Sequence, residues 1–331
     1  MSMLVVMSYQ NKYFDWIQLT YMKVLVLGSN GLVGKSVSNK LKGSKKVTEL
    51  TLSNRKDTNL FNLDELKKLI ERTQPDWIIN CAAKVGGIHA NNTYRTEFIL
   101  ENIKINLNLF EILKQYSNCN LINLGSSCIY PLDARNPIKE DYFMTGKLEE
   151  TNSPYAIAKI TGIEMGRALN KDYGNNVLNL MPTNLYGPND NFTYEDSHVI
   201  PGLISRMHDS KIKKLKKFKI WGSGKPLREF MHVDDLSSSI EFLIGKKTEK
   251  DLINIGTGEE ISIYELALLI KNLLNFKGEL IFDSSKPDGN PRKLLDSSYI
   301  NSLGWKHQIS LEDGLENTYQ WFLENYKVIR R

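Results

Sequence analysis

Cysteine is scarce in this chain: Cys81, Cys119 and Cys128 are its three. That odd, small count cannot build a disulfide framework and fits a reducing compartment, so a cytoplasmic location is expected. No apolar run reaches the roughly 20 residues that a membrane helix requires. Histidine is also sparse, with five residues, and His89, His208, His232 and His307 have no Cys or His neighbour at metal-ligand spacing. No metal site is therefore expected. Charge of one sign is lacking too: 43 Lys and Arg stand against 38 Asp and Glu, a net +5. So small an excess does not call for nucleic acid and suits nucleotides as well. The one charge run, KIKKLKKFK (211–219), has no nucleic-acid-binding module around it and reads as a solvated face.

What is present is a long alternation of strand and helix patterns. With 331 residues, 41% of them hydrophobic, the chain can bury a sizeable core in two lobes. Residues 1–21 do not join the pattern and read as an N-terminal extension without targeting features. From Met22, apolar strands (KVLVLG, ELTL, WIINCAA, NLINLGSS, VLNLMPTN) alternate with helices expected over 32–41, 64–73, 98–116 and 155–173. Short apolar strands between helices signify a parallel sheet covered on both faces, an α/β fold of the Rossmann doubly wound type. This sheet domain is expected over 22–183, with part of 230–256 added. After Asn184 turn-rich segments take over, with helices expected over 197–208, 234–244, 262–274 and 311–325. Residues 184–331 read mainly as a smaller, partly interleaved substrate lobe.

Gly28-Ser-Asn-Gly31-Leu-Val-Gly34 stands where the first strand gives way to a helix. Glycines there let the backbone approach a pyrophosphate, whose charge meets free N–H groups at the helix start. A dinucleotide cofactor is expected. An NAD enzyme places a carboxylate about 20 residues further on for the ribose 2′-hydroxyl. This chain has Thr51-Leu-Ser-Asn-Arg55-Lys56 instead, and the Arg55 guanidinium suits a 2′-phosphate, hence NADP(H).

Ser126 follows the fourth strand, and Tyr155-Ala-Ile-Ala-Lys159 follows on a helix. A spacing of four sets Tyr155 and Lys159 on one helix face, where a Lys cation is expected to lower the phenol's pKa for proton donation to a carbonyl.

With these residues the chain resembles the extended short-chain dehydrogenase/reductases, and within them the GDP-4-keto-6-deoxymannose epimerase/reductase branch that makes GDP-L-fucose. The matching stretches are AAKVGGIHANN (82–92), LGSSCIYP (124–131), SPYAIAKITG (153–162), MPTNLYGPNDNF (181–192), SHVIP (197–201), WGSGKPLREFMHVDDL (221–236), SKPDGNPRKLLD (285–296) and TYQWFLEN (318–325). They cover the chain from Met22 onward. One departure is Asn30, where relatives often carry a basic residue in the glycine loop, so Arg55 bears more of the 2′-phosphate recognition.

The resemblance implies a GDP-hexose substrate with a ketone at C4. Protons at C3 and C5 are acidified by that ketone, and inversion at each requires a base on one ring face and an acid on the other. The matching cysteine and histidine are Cys128 as base and His198 as acid. Ser126 and Tyr155 would polarise the C4 oxygen, and Tyr155 with Lys159 would serve the reduction by NADPH. Ala82, Asn184 and Lys159 are implied as cofactor contacts beside Gly28, Gly31, Gly34 and Arg55. Arg228 and Lys293 are implied at the diphosphate or sugar, and Asn184, Arg206 and Trp221 along the nucleotide-sugar pocket. A homodimer through the helices over 98–116 and 155–173 is the family expectation. The competing readings are a GDP-colitose synthase, a hexose 4-epimerase, and a non-catalytic NADP-binding regulator.

Overall fold

The computed structural model describes residues 22–329 other than 195, 286 and 287; the extension expected over 1–21 lies outside them. The first part runs β1 (Met22–Leu27), α1 (Leu32–Lys42), β2 (Val47–Ser53), α2 (Leu63–Thr73), β3 (Trp77–Asn80), α3 (Ile88–Thr93), α4 (Arg95–Leu113), β4 (Asn120–Leu124), α5 (Ser153–Tyr173) and β5 (Val177–Pro182). It continues through β6 (Asn184–Tyr186), α6 (Val199–Ile212), β7 (Lys217–Trp221), β8 (Leu227–Arg228), β9 (Phe230–His232), α7 (Val233–Leu243) and β10 (Leu252–Ile255). The last part holds β11 (Ile261–Ser262), α8 (Ile263–Leu273), β12 (Glu279–Asp283), β13 (Arg292–Lys293), α9 (Ser298–Ser302) and α10 (Leu311–Asn325).

Six parallel strands form the central sheet in the order β10-β5-β4-β3-β1-β2. In β1 the period-2 geometry sends Val24 and Val26 to one face and Leu25 and Leu27 to the other. The valines pack with Val37, Leu236 and Ile240 of α1 and α7, the leucines with Leu66, Leu109 and Phe110 of α2 and α4. Both faces are thus buried, which explains why the strands read as continuous apolar runs. The Rossmann-type α/β architecture expected from the sequence is the observed one. The order reverses at β1, between β2 and β3, and the carboxyl ends there open a crevice of the kind that binds ligands in such sheets.

The rest of the chain builds short sheets, β11-β8-β13, β12-β7 and β6-β9, around a separate cluster with Tyr186, Phe192, Leu203, Phe218, Leu266 and Phe322. Some boundaries differ from expectation. WIINCAA leaves the sheet after Asn80 because Cys81 to Ala83 turn beneath the glycine loop, where the Cys81 N–H still donates to Leu27 O. The AAKVGGIHANN stretch also holds a short helix, α3, absent from the sequence reading. The basic run 211–219 spans the end of α6 and β7; its lysines are exposed while Phe218 and Ile220 alternate inward.

Candidate active site

The glycine loop is shaped by contacts as well as by turn chemistry. Gly28 has φ +75°, and a Cβ there would lie 2.8 Å from the Ala82 backbone. A Cβ on Gly34 would strike the Gly28 carbonyl, so α1 packs on the loop without a side chain between them. At Gly31 the nearest atom to an added Cβ is 3.7 Å away, and this glycine borders the crevice. Gly31 is also the N-cap of α1 and offers no side-chain cap to the first N–H groups. The adjoining cavity, about 370 Å³, is lined by Asn30, Asn54, Arg55, Phe61, Ala82 and Ile105 among others. Small backbone walls at the loop, a helix start beside it and a polar far end fit a nicotinamide dinucleotide. Asn184 is elsewhere: its amide donates to Glu229 O at 2.8 Å, in the β6–β9 ribbon.

Four of the expected catalytic side chains converge at the end of β4. Ser126 caps a short 3-10 turn, accepting from Cys128 N–H at 3.4 Å, and its hydroxyl lies against Tyr155 on α5. Lys159, 7% exposed, donates from Nζ to Leu124 O at 2.7 Å and stands 5.6 Å from the Tyr155 ring centroid. Phe98 of α4 meets that ring edge-on at 6.0 Å.

Electrostatics correct one expectation. Burial raises the Tyr155 phenol above its usual range and the charge of nearby Cys128 raises it further, with only the Ser126 hydroxyl acting against them. Lys159 does not pull the phenol toward neutrality; its hydrogen bond goes to the Leu124 carbonyl, and burial lowers its own pKa to about 8. Tyr155 is thus held as a protonated donor. Burial also raises Cys128, while Lys293, Ser126 and Lys159 oppose the rise.

Lys293 ties this cluster to the second lobe. Its β13 pairs in register with β8, Lys293 beside Arg228, and the Lys293 ammonium feels both Cys128 and Arg228. Arg228 donates to Leu227 O at 2.8 Å and to Asp288 O at 3.3 Å. Arg206 stands 4.3 Å above the Trp221 ring, with Tyr194 meeting Trp221 edge-on, so a cation and two aromatic rings form one partly exposed platform. Burial lowers the pKa of both guanidinium groups.

His198 occupies the N-cap position of α6 but makes no side-chain cap hydrogen bond. It is solvent-accessible, and the protein packed around it lowers its imidazole pKa. Its loop is fixed to α3 by Gly87 N–H donating to Asp196 O at 3.2 Å, and Gly86 abuts Phe98, the neighbour of Tyr155.

Sequence reasoning missed three supports. Asn80, Asn123 and Asn179 form a buried amide ladder across β3, β4 and β5, with bonds of 3.2 and 3.1 Å. A buried Asn inside each of these apolar strands was its signal. Glu229, fully buried, accepts from Thr257 N–H at 2.7 Å, Gly258 N–H at 2.8 Å and Leu295 N–H at 3.0 Å, stapling the segments that carry Arg228 and Lys293. Phe61, in the cofactor crevice, had no local signal. Among the described residues no His, Cys, Asp and Glu cluster could hold a metal ion, and no helix is long and apolar enough to cross a membrane.

A glycine-loop Rossmann crevice beside a Ser–Tyr–Lys cluster defines a nicotinamide-dependent class, and comparison with known proteins agrees. The chain belongs to the NAD dependent epimerase/dehydratase family, whose profile matches residues 24–256. It is 46% identical over 303 residues to a putative GDP-L-fucose synthase 2 of Arabidopsis thaliana, covering 92% of each chain. It is 44% identical over 317 residues to a GDP-L-fucose synthase of Escherichia coli, covering 93% of this chain and 98% of the other. Among solved structures, a GDP-L-fucose synthetase from Naegleria fowleri bound to NADP superposes with a TM-score of 0.85 at 32% identity, over 93% of this chain and 94% of that one.

Proposed function

We propose that this protein is an NADPH-dependent enzyme that inverts C3 and C5 of GDP-4-keto-6-deoxy-D-mannose and reduces C4, giving GDP-L-fucose. The observation that carries the reading is Cys128 seated beside Ser126, Tyr155 and Lys159, since a simple reductase needs no extra proton-transfer group there. The resemblance to GDP-L-fucose synthases supports the same substrate.

Ser126 and Tyr155 hydrogen-bond the C4 oxygen and stabilise the negative charge that develops there as the neighbouring carbons lose protons. Cys128 takes those protons, its thiolate stabilised by the Lys293 and Lys159 cations. His198 returns protons to the opposite ring face, its lowered pKa making it a ready donor when charged. Bound NADPH supplies the hydride for C4. Tyr155, kept protonated by burial, gives its proton to the C4 oxygen, and Lys159, anchored on the Leu124 carbonyl, would contact the cofactor. Gly28, Gly31, Gly34 and Ala82 accommodate the pyrophosphate side of NADPH, Arg55 takes the 2′-phosphate, and Asn184, its amide held by the Glu229 carbonyl, serves the substrate side.

Arg206 and Trp221 form the guanosine-side platform, and Arg228 and Lys293 the cationic seat for the diphosphate and sugar. Residues 22–183 together with part of 230–256 make the cofactor domain, and 184–331 mainly the substrate lobe. A cytoplasmic homodimer through α4 and α5 completes the reading; exposed Leu100 and Leu107 on α4 and Ile157 on α5 support it.

The test is incubation of purified protein with GDP-4-keto-6-deoxymannose and NADPH, the product identified by NMR. GDP-L-fucose is expected. A product reduced at C4 without inversion at C3 and C5, or no consumption of the ketone, would overturn the proposal.

A further inference from the structure

We infer that Lys104 is a second reader of the cofactor's 2′-phosphate, working with Arg55 across the Phe61 ring; this rests on the reading that the chain uses NADPH. The Phe61 ring lines the cofactor crevice. Arg55 Cζ stands 5.6 Å from its centroid and Lys104 Nζ, from α4, stands 5.7 Å from the same centroid. Two cations gathered on one ring repel each other unless acids compensate them.

The nearby acids are committed elsewhere. Asp57, in the turn after β2, accepts from the Asn54 backbone at 3.0 Å and from its side-chain amide. Glu65 accepts from Asn59 N–H at 2.9 Å, and Glu101, one turn before Lys104, pairs with Lys84 at 2.8 Å. Among the described residues neither Arg55 nor Lys104 has a carboxylate partner within ion-pair distance. The placement is held by a side chain, because the Asn108 amide of α4 donates to Leu60 O at 2.8 Å and fastens the Phe61 loop to the helix. An uncompensated pair of cations on a ring that lines a dinucleotide crevice, with Arg55 itself on the crevice wall, matches a dianionic phosphate. It also answers the absence of a basic residue at Asn30 in the glycine loop. The contacts to the ring keep both side chains from wandering, which reduces the entropy lost when the phosphate arrives.

The test measures equilibrium binding of NADPH, NADH, adenosine 2′,5′-bisphosphate and 5′-AMP by calorimetry, for wild type, Lys104→Gln and Lys104→Arg. Lys104 is exposed, so both variants should fold. The expected result is a roughly 5- to 20-fold weaker Kd for NADPH and the bisphosphate in Lys104→Gln, with NADH and 5′-AMP within about twofold of wild type. Lys104→Arg should restore most of the loss. The salt dependence of NADPH binding should also become shallower in Lys104→Gln. Equal loss for all four ligands, or an unchanged NADPH preference in Lys104→Gln, would overturn the role of Lys104. A wild-type protein that does not prefer NADPH over NADH would instead overturn the cofactor reading itself.

Discussion

Lys159 stands one helical turn beyond Tyr155, 5.6 Å from the ring centroid, with its ammonium turned to the Leu124 carbonyl at 2.7 Å. The pair divides its work between a neutral acid and a cation near the point of losing its charge. Because burial lowers Lys159 to about 8, the cation is present below that pH and lost above it. The kcat/KM for C4 reduction, which reports the free enzyme, should therefore fall on the alkaline side from about pH 8, by up to tenfold per unit. A profile flat from pH 7 to 9.5 would show that the charge on Lys159 does not matter.

Tyr155→Phe removes the proton and keeps the ring that Phe98 meets edge-on. Folding and NADPH binding should survive, while C4 reduction falls by roughly 10² or more. Stopped-flow oxidation of NADPH checks this, and near-normal rates would assign the proton to another group.

Cys128→Ser preserves size but replaces an ionisable thiol with a hydroxyl that hardly ionises. Deuterium uptake from D₂O at C3 and C5, without NADPH, should collapse, since Ser126 and Tyr155 can polarise the ketone but remove no carbon-bound proton. Exchange at the wild-type rate would make Cys128 a packing residue.

Trp221→Ala removes the ring beneath Arg206. A cation–π contact of this kind is worth about 0.5–2 kcal/mol. Released from the ring, Arg206 also becomes more mobile. The KM for the GDP-sugar should rise about 3- to 30-fold with kcat nearly unchanged, in steady-state assays. A fall in kcat at constant KM would place Trp221 at the reacting sugar instead.

Gly34→Ala sets a methyl against the Gly28 carbonyl. Overpacking of backbone on backbone costs about 1–3 kcal/mol, so the thermal midpoint should drop and NADPH affinity with it. Unchanged affinity and midpoint would mean the loop can yield without cost.

The strand–helix alternation, the glycine loop and the Tyr155–Lys159 spacing were legible in the sequence because each is local. Side-chain periodicity, turn chemistry and helical pitch depend on residues only a few positions apart. The joining of Lys293 to Cys128, the sharing of Phe61 by Arg55 and Lys104, and the amide ladder of Asn80, Asn123 and Asn179 depend on how distant segments meet. Only the tertiary structure decided them. It also decided the protonation of the site: the same Tyr–Lys spacing suggested a phenol drawn toward neutrality. Burial instead raises Tyr155, and the Leu124 carbonyl takes the hydrogen bond from Lys159. Desolvation is a property of everything packed around a group, and no local stretch of sequence carries it.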